Sequence, residues 1–151
     1  MKKILILLFT CLFLTGCGNK EVKLDFNTIK NELNALTINE ELVFNDLQET
    51  SYEDLWNIHG IDAQLTEEIH FMTSTDGTDA NMYIIALPKE GKEKELKEQI
   101  NTFFEGFQLQ ADMYNPDNAA LIKNRMEEKV GNYLIYIVSN NNSKVLEIIK
   151  K

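Results

Sequence analysis

Thiol chemistry has almost no foothold in this chain. Its two cysteines, Cys11 and Cys17, both fall in the first 17 residues. If residues 1–16 are a cleaved signal, only Cys17 survives, so no disulfide, zinc cluster or catalytic thiol is expected. The folded part is then held by its core alone, and about 135 residues are enough for one such domain. Arginine is reduced to Arg125, and histidine to His59 and His70. Basic residues are outnumbered, 15 against 24 acidic, for a net charge of −9; removing Lys2 and Lys3 with the signal takes it to −11. Such a surface repels phosphate backbones and anionic headgroups, which excludes nucleic acid as a partner. No glycine-rich phosphate loop, Gly-x-Ser-x-Gly elbow or zinc-protease signature is present. A membrane-crossing run is missing too. The one long apolar stretch, 4–14, is about half of the roughly 20 residues a spanning helix needs.

That short run is informative for what surrounds it. Lys2 and Lys3 precede it, and Leu14-Thr15-Gly16-Cys17 follows it. Positive start, apolar middle and small residues before a cysteine are the parts of a lipoprotein export signal. Cleavage before Cys17, with a diacylglyceryl group on its sulfur, is the expected processing. Two acyl chains anchor stably where one is marginal, because each buried methylene contributes about 0.8 kcal/mol. The expected organisation is a signal at 1–16, a lipidated tether at 17–24 and a single domain at 25–151. Its place is the extracytoplasmic face of the cell membrane, lipid-anchored.

Beyond the tether, Phe26, Ile29, Leu33 and Leu36 make one helical stripe, which Asp25 or Asn27 can cap. Residues 39–49 are less regular. Ser51-Tyr52-Glu53-Asp54 resembles a capping box, and Gly60 is placed to stop the short helix after it. Residues 68–73 alternate as a strand with Ile69 and Phe71 on one face, and Asp76-Gly77 offers a turn. The unbroken apolar run 82–87 suits a strand covered on both faces, ended by Pro88. A long helix is expected over 92–113 from Leu96, Ile100, Phe103, Phe104 and Phe107, with Gly106 weakening its last turns. Asn115-Pro116 opens a short helix, 126–130 and 133–139 pair through Gly131-Asn132, and Val145, Leu146, Ile148 and Ile149 line a last helix. The expected fold is α+β: a mostly antiparallel four-stranded sheet with helices on one face. The strand–strand–helix order occurs twice and permits an approximate duplication.

The segment Met82-Tyr83-Ile84-Ile85-Ala86-Leu87-Pro88, the lysine- and glutamate-rich helix after it, and Gly131-Asn132-Tyr133-Leu134-Ile135-Tyr136-Ile137-Val138-Ser139 resemble a bacterial family known as the domain of unknown function numbered 4358. The resemblance spans roughly 56–149. It implies a small lipoprotein of Gram-positive anaerobes and their relatives, in keeping with Cys17. It implies no catalytic residue and no cofactor.

Candidate chemistry is sparse. Glu68 and His70 share a strand face, as an acid–base pair would, although the same pair on a wet sheet face is only a surface contact. His59 stands before Gly60, where a helix C-terminus favours it, and both histidines are expected to be structural. Asp76, Asp79 and Asn81 crowd one turn without the spacing of a calcium loop. Tyr52, Trp56, Tyr83, Tyr114, Tyr133 and Tyr136 can hydrogen-bond as well as pack; Trp56 and the strand tyrosines are expected to border the core, and any left exposed would mark a recognition surface. The leading expectation is a non-catalytic binding or accessory domain of the cell envelope, its partner an envelope protein or small ligand. The alternative is a small envelope hydrolase or metal-dependent enzyme using Glu68 and His70. A transporter's solute receptor fits poorly, since such receptors close two lobes and this chain has residues for one.

Overall fold

The computed structural model describes residues 22–76 and 78–151. The signal segment, Cys17 and the first part of the tether lie outside them. Helix α1 (Phe26–Asn34) starts where the Asp25 carboxylate accepts a hydrogen bond from the Thr28 backbone at 3.2 Å, and it buries Phe26, Ile29 and Leu33. A small hairpin of β1 (Thr37–Ile38) and β2 (Glu41–Leu42) turns through Asn39 and Glu40, both at positive φ, before β3 (Leu47–Glu49). Helix α2 (Tyr52–Asn57) opens on the expected box: Ser51 Oγ accepts from the Asp54 backbone at 3.1 Å and donates to its carboxylate at 2.8 Å. Gly60, at φ +67, carries the chain away from it.

Strand β4 (Thr66–Ser74) and β5 (Met82–Pro88) form the first long hairpin. Helix α3 (Glu93–Tyr114) runs through Gly106 without a break and buries Leu96, Ile100 and Phe104. Helix α4 (Pro116–Lys123) follows, capped by Asn115 with proline in its first turn. Strand β6 (Met126–Val130) turns at Gly131, φ +59, into β7 (Tyr133–Val138), and α5 (Asn142–Ile149) ends the chain.

The strands β3-β4-β5-β7-β6 lie side by side, every neighbour antiparallel. The fold is α+β, as expected, but the main sheet has five strands rather than four. The extra one, β3, is three residues long, sits at an edge and carries one apolar side chain, too little for a period to register. The helices also cover both faces rather than one. Met82, Ile84 and Ala86 of β5 point toward α2, α3 and α4, while Tyr83 and Ile85 point toward α1 and α5. Strand β7 divides the same way, Leu134, Tyr136 and Val138 against Tyr133, Ile135 and Ile137. An apolar side chain at every position requires cover on both sides, and each one fully buried contributes about 1.5–3 kcal/mol.

This arrangement also speaks against a duplication. Antiparallel neighbours β5 and β7 would be exchanged by a two-fold axis normal to the sheet, which leaves each helix on its own face. Helices α3 and α5 instead pack on opposite faces.

The two ends of the sheet differ in what they hold. At one end lie Thr66, Pro88 and the Gly131 turn, with Val22 seated on that turn. At the other lie the β4–β5 connection and the C-terminal half of α3, since Asn115 and Asn118 both donate to the Thr78 carbonyl.

Candidate functional site

The far end of the sheet, on its α3 side, is grooved. The groove has a volume of about 700 Å³ and opens between the end of α2, helix α3 and the β4–β5 connection. Trp56 forms one wall, 59% exposed, and Ile58 beside it is exposed as well. His59, Phe103 and Phe107 line the interior. The His59 ring lies 4.8 Å from that of Phe71 and meets Phe103 edge-on at 5.1 Å, and Phe103 stacks on Phe107 at 5.7 Å. Among the described residues, Trp56 takes no part in these ring contacts.

Gly106 makes the groove possible. It faces the open space from the middle of α3, and a Cβ built on it would meet nothing within 4 Å. Any larger side chain there would stand in the groove.

Charge is confined to the rim. Asp76 and Asp79 line the groove at the β4–β5 connection. One oxygen of each closes the turn: Asp76 accepts from the Thr78 backbone at 2.9 Å, and Asp79 from the Asn81 backbone at 2.9 Å. These are the turn roles expected of them. The Thr78 hydrogen bonds also hold the Asp76 carboxyl below its ordinary pKa. Burial lowers the His59 pKa, outweighing the opposing pull of Asp54, so its ring is neutral at pH 7.

Glu68 and His70 lie elsewhere, on the opposite face of the sheet beneath α1. They do meet: His70 Nε2 is 3.0 Å from Glu68 Oε1. The other ring nitrogen, Nδ1, is 2.6 Å from Glu49 Oε1, and Phe26 stacks on the ring at 3.3 Å. Tyr133 donates to the second Glu68 oxygen at 3.3 Å. Both ring nitrogens are thus engaged, each by a different carboxylate. Among the described residues, no cluster of three or more His, Cys, Asp or Glu could hold a metal ion.

Glu68 and His70 line a cleft of about 470 Å³ together with Leu24, Asp25 and Phe26, and two larger clefts leave them out. The larger, about 810 Å³, lies between the end of α4 and the start of α5 and is lined by Asn124, Ser139 and Asn140 to Asn142. The groove at Trp56 is slightly smaller but has the apolar lining on which organic ligands are held. Of the hydrogen-bonding aromatic residues, Tyr83, Tyr133 and Tyr136 are buried in the sheet as expected. Burial raises the Tyr83 pKa and pushes that of Tyr136 up to about 12. Tyr52, Trp56 and Tyr114 are exposed. Trp56 stood out in the sequence. Phe103 and Phe107, expected to be buried, do pack half-buried against the core and also line the groove. Gly106, expected to weaken α3, opens onto that space. The available signal was a glycine one turn from two phenylalanines on a helix that does not end there.

Fold and groove together define a small α+β domain with a doubly covered antiparallel sheet and an aromatic cleft at one end of it. The family model for a domain of unknown function, DUF4358, matches residues 40–139, and the chain belongs to that family. The match takes in β2 and β3, ahead of the segment where the resemblance was legible, and stops before α5. No curated protein and no solved structure matches the chain.

Proposed function

We propose that this protein is a lipid-anchored binding protein of the cell envelope, with the Trp56 groove as its ligand site. The groove carries the reading: an aromatic cleft beside a glycine in α3 that faces open space. The anchor follows from the Cys17 signal, and the position of Val22 is in keeping with it. Val22 rests on the Gly131 turn, five residues after Cys17. At about 3.3–3.6 Å per residue, that connection reaches roughly 17 Å. The Gly131 end then faces the membrane, and the groove opens about 20 Å away, across the length of β5.

Trp56 is the sole tryptophan, so its fluorescence reads the groove directly. Small aromatic compounds titrated into the full chain are expected to shift Trp56 emission. Gly106→Leu, which fills the groove while favouring the helix, is expected to abolish that shift. An unchanged response in this folded variant would place binding elsewhere. For the anchor, mass spectrometry of the membrane fraction should find a diacylglyceryl Cys17 at the N-terminus, and Cys17→Ala should release the protein from that fraction. Finding the unprocessed chain in the soluble fraction would overturn the anchor.

A further inference from the structure

The charge around the groove is one-sided. Among its described lining residues are two carboxylates, Asp76 and Asp79, and neither lysine nor arginine. The α3 side contributes only neutral polar groups, Gln99, Thr102 and Gln110. Every described lysine therefore lies outside the lining of a cleft whose walls are aromatic. Low-dielectric walls focus the field of rim charges into a cleft, and aromatic faces carry a negative quadrupole. Both effects act on a guest with the same sign. An anion would meet two carboxylates with no counter-charge, while a cation meets them and a tryptophan face together.

We infer that the groove is a site for small organic cations, an amine or quaternary ammonium on an apolar body. The body lies against Trp56, Phe103 and Phe107, and the charge is held toward Asp76 and Asp79. A volume of about 700 Å³ is the size of a small-molecule site, which sets the scale of the guest. Each carboxylate closes its turn through one oxygen, Oδ1, leaving the other for the guest. The neutral His59 ring keeps a competing positive charge out of the interior. The inference rests on the groove being the ligand site.

Three probes built on one phenyl ring separate the two ideas: benzyltrimethylammonium, benzyl alcohol and benzenesulfonate. Each is titrated into the full chain in a non-ionic detergent, with Trp56 fluorescence as the readout. Benzyltrimethylammonium is expected to bind at least tenfold more tightly than benzenesulfonate, with benzyl alcohol between them. The preference is expected to shrink with added salt. In Asp76→Asn/Asp79→Asn, whose amide oxygens preserve the turn's acceptors, it should fall below threefold while benzyl alcohol binds as before. Equal binding of the three probes, or a cation preference that survives the double substitution, would overturn the inference and leave the groove reading in place. Silence from all three would remove the groove reading as well.

Discussion

The two histidines lie on opposite faces of one sheet, and the protein handles them in opposite ways. His59, on the α3 face, is packed among phenylalanine rings and keeps its neutral form because burial penalises the charge. His70, on the α1 face, is held between two carboxylates and capped by Phe26. The first face leaves apolar surface open to solvent beside its histidine. The second uses every polar atom of its histidine on the protein itself. A side chain whose hydrogen-bonding capacity is fully used internally has little left for a ligand, which is why the open, aromatic face is the functional candidate.

The largest effect is expected from Phe104→Ala, which removes a fully buried ring from the α3 face and should cost about 3–5 kcal/mol in urea unfolding. Trp56 emission sees only the α3 face, whereas far-UV circular dichroism sees the whole chain. Coincident transitions by the two probes are expected of one cooperative unit. Separate midpoints would mean that the faces unfold independently.

At the opposite end, Gly131→Ala should cost about 1–2 kcal/mol, since an L-residue is strained at φ +59. The added Cβ would also come within 2.6 Å of the Val22 Cβ. Resistance of the chain to proteolysis at Val22 should fall with it, and unchanged cleavage there would show that Val22 is not held against the turn.

Gly106→Ala acts in the other direction. With a helical backbone and open space at the Cβ, it should stabilise by about 0.5–1 kcal/mol. A loss of stability would mean that the groove closes on Gly106 in solution.

The smallest effect concerns pH. The His59 pKa is depressed in the folded state, so below the ordinary histidine value of 6.5 the unfolded chain binds the proton first. Stability is full above that value and declines as pH falls toward the depressed one. His59→Phe should flatten this slope across mildly acidic pH, and an unaltered slope would assign it to other groups.

The elements were largely legible because their signals are local. Asp25, Ser51 and Asn115 cap the helices they were expected to cap, and Gly60 and Gly131 adopt the positive φ their positions called for. Strand β3 was not legible, because an edge strand of three residues is defined by its partner β4 and not by its own pattern. Placing the helices on one face overlooked what the continuous run at 82–87 already demanded. The groove was half visible. Trp56 stood out as a residue able both to pack and to hydrogen-bond, yet Phe103 and Phe107 carry the same periodic spacing whether they face the core or a cleft beside it.

Chain composition and short-range pattern by themselves determined the acidic character, the helices and the two long hairpins. These depend on residue type and on neighbours within a few positions. Tertiary structure alone decided that His59 and His70 never meet, that Glu49 joins His70 from 21 residues away, and that the space beside Gly106 stays open. Those outcomes depend on which face of the sheet each helix covers, and no local period encodes that choice.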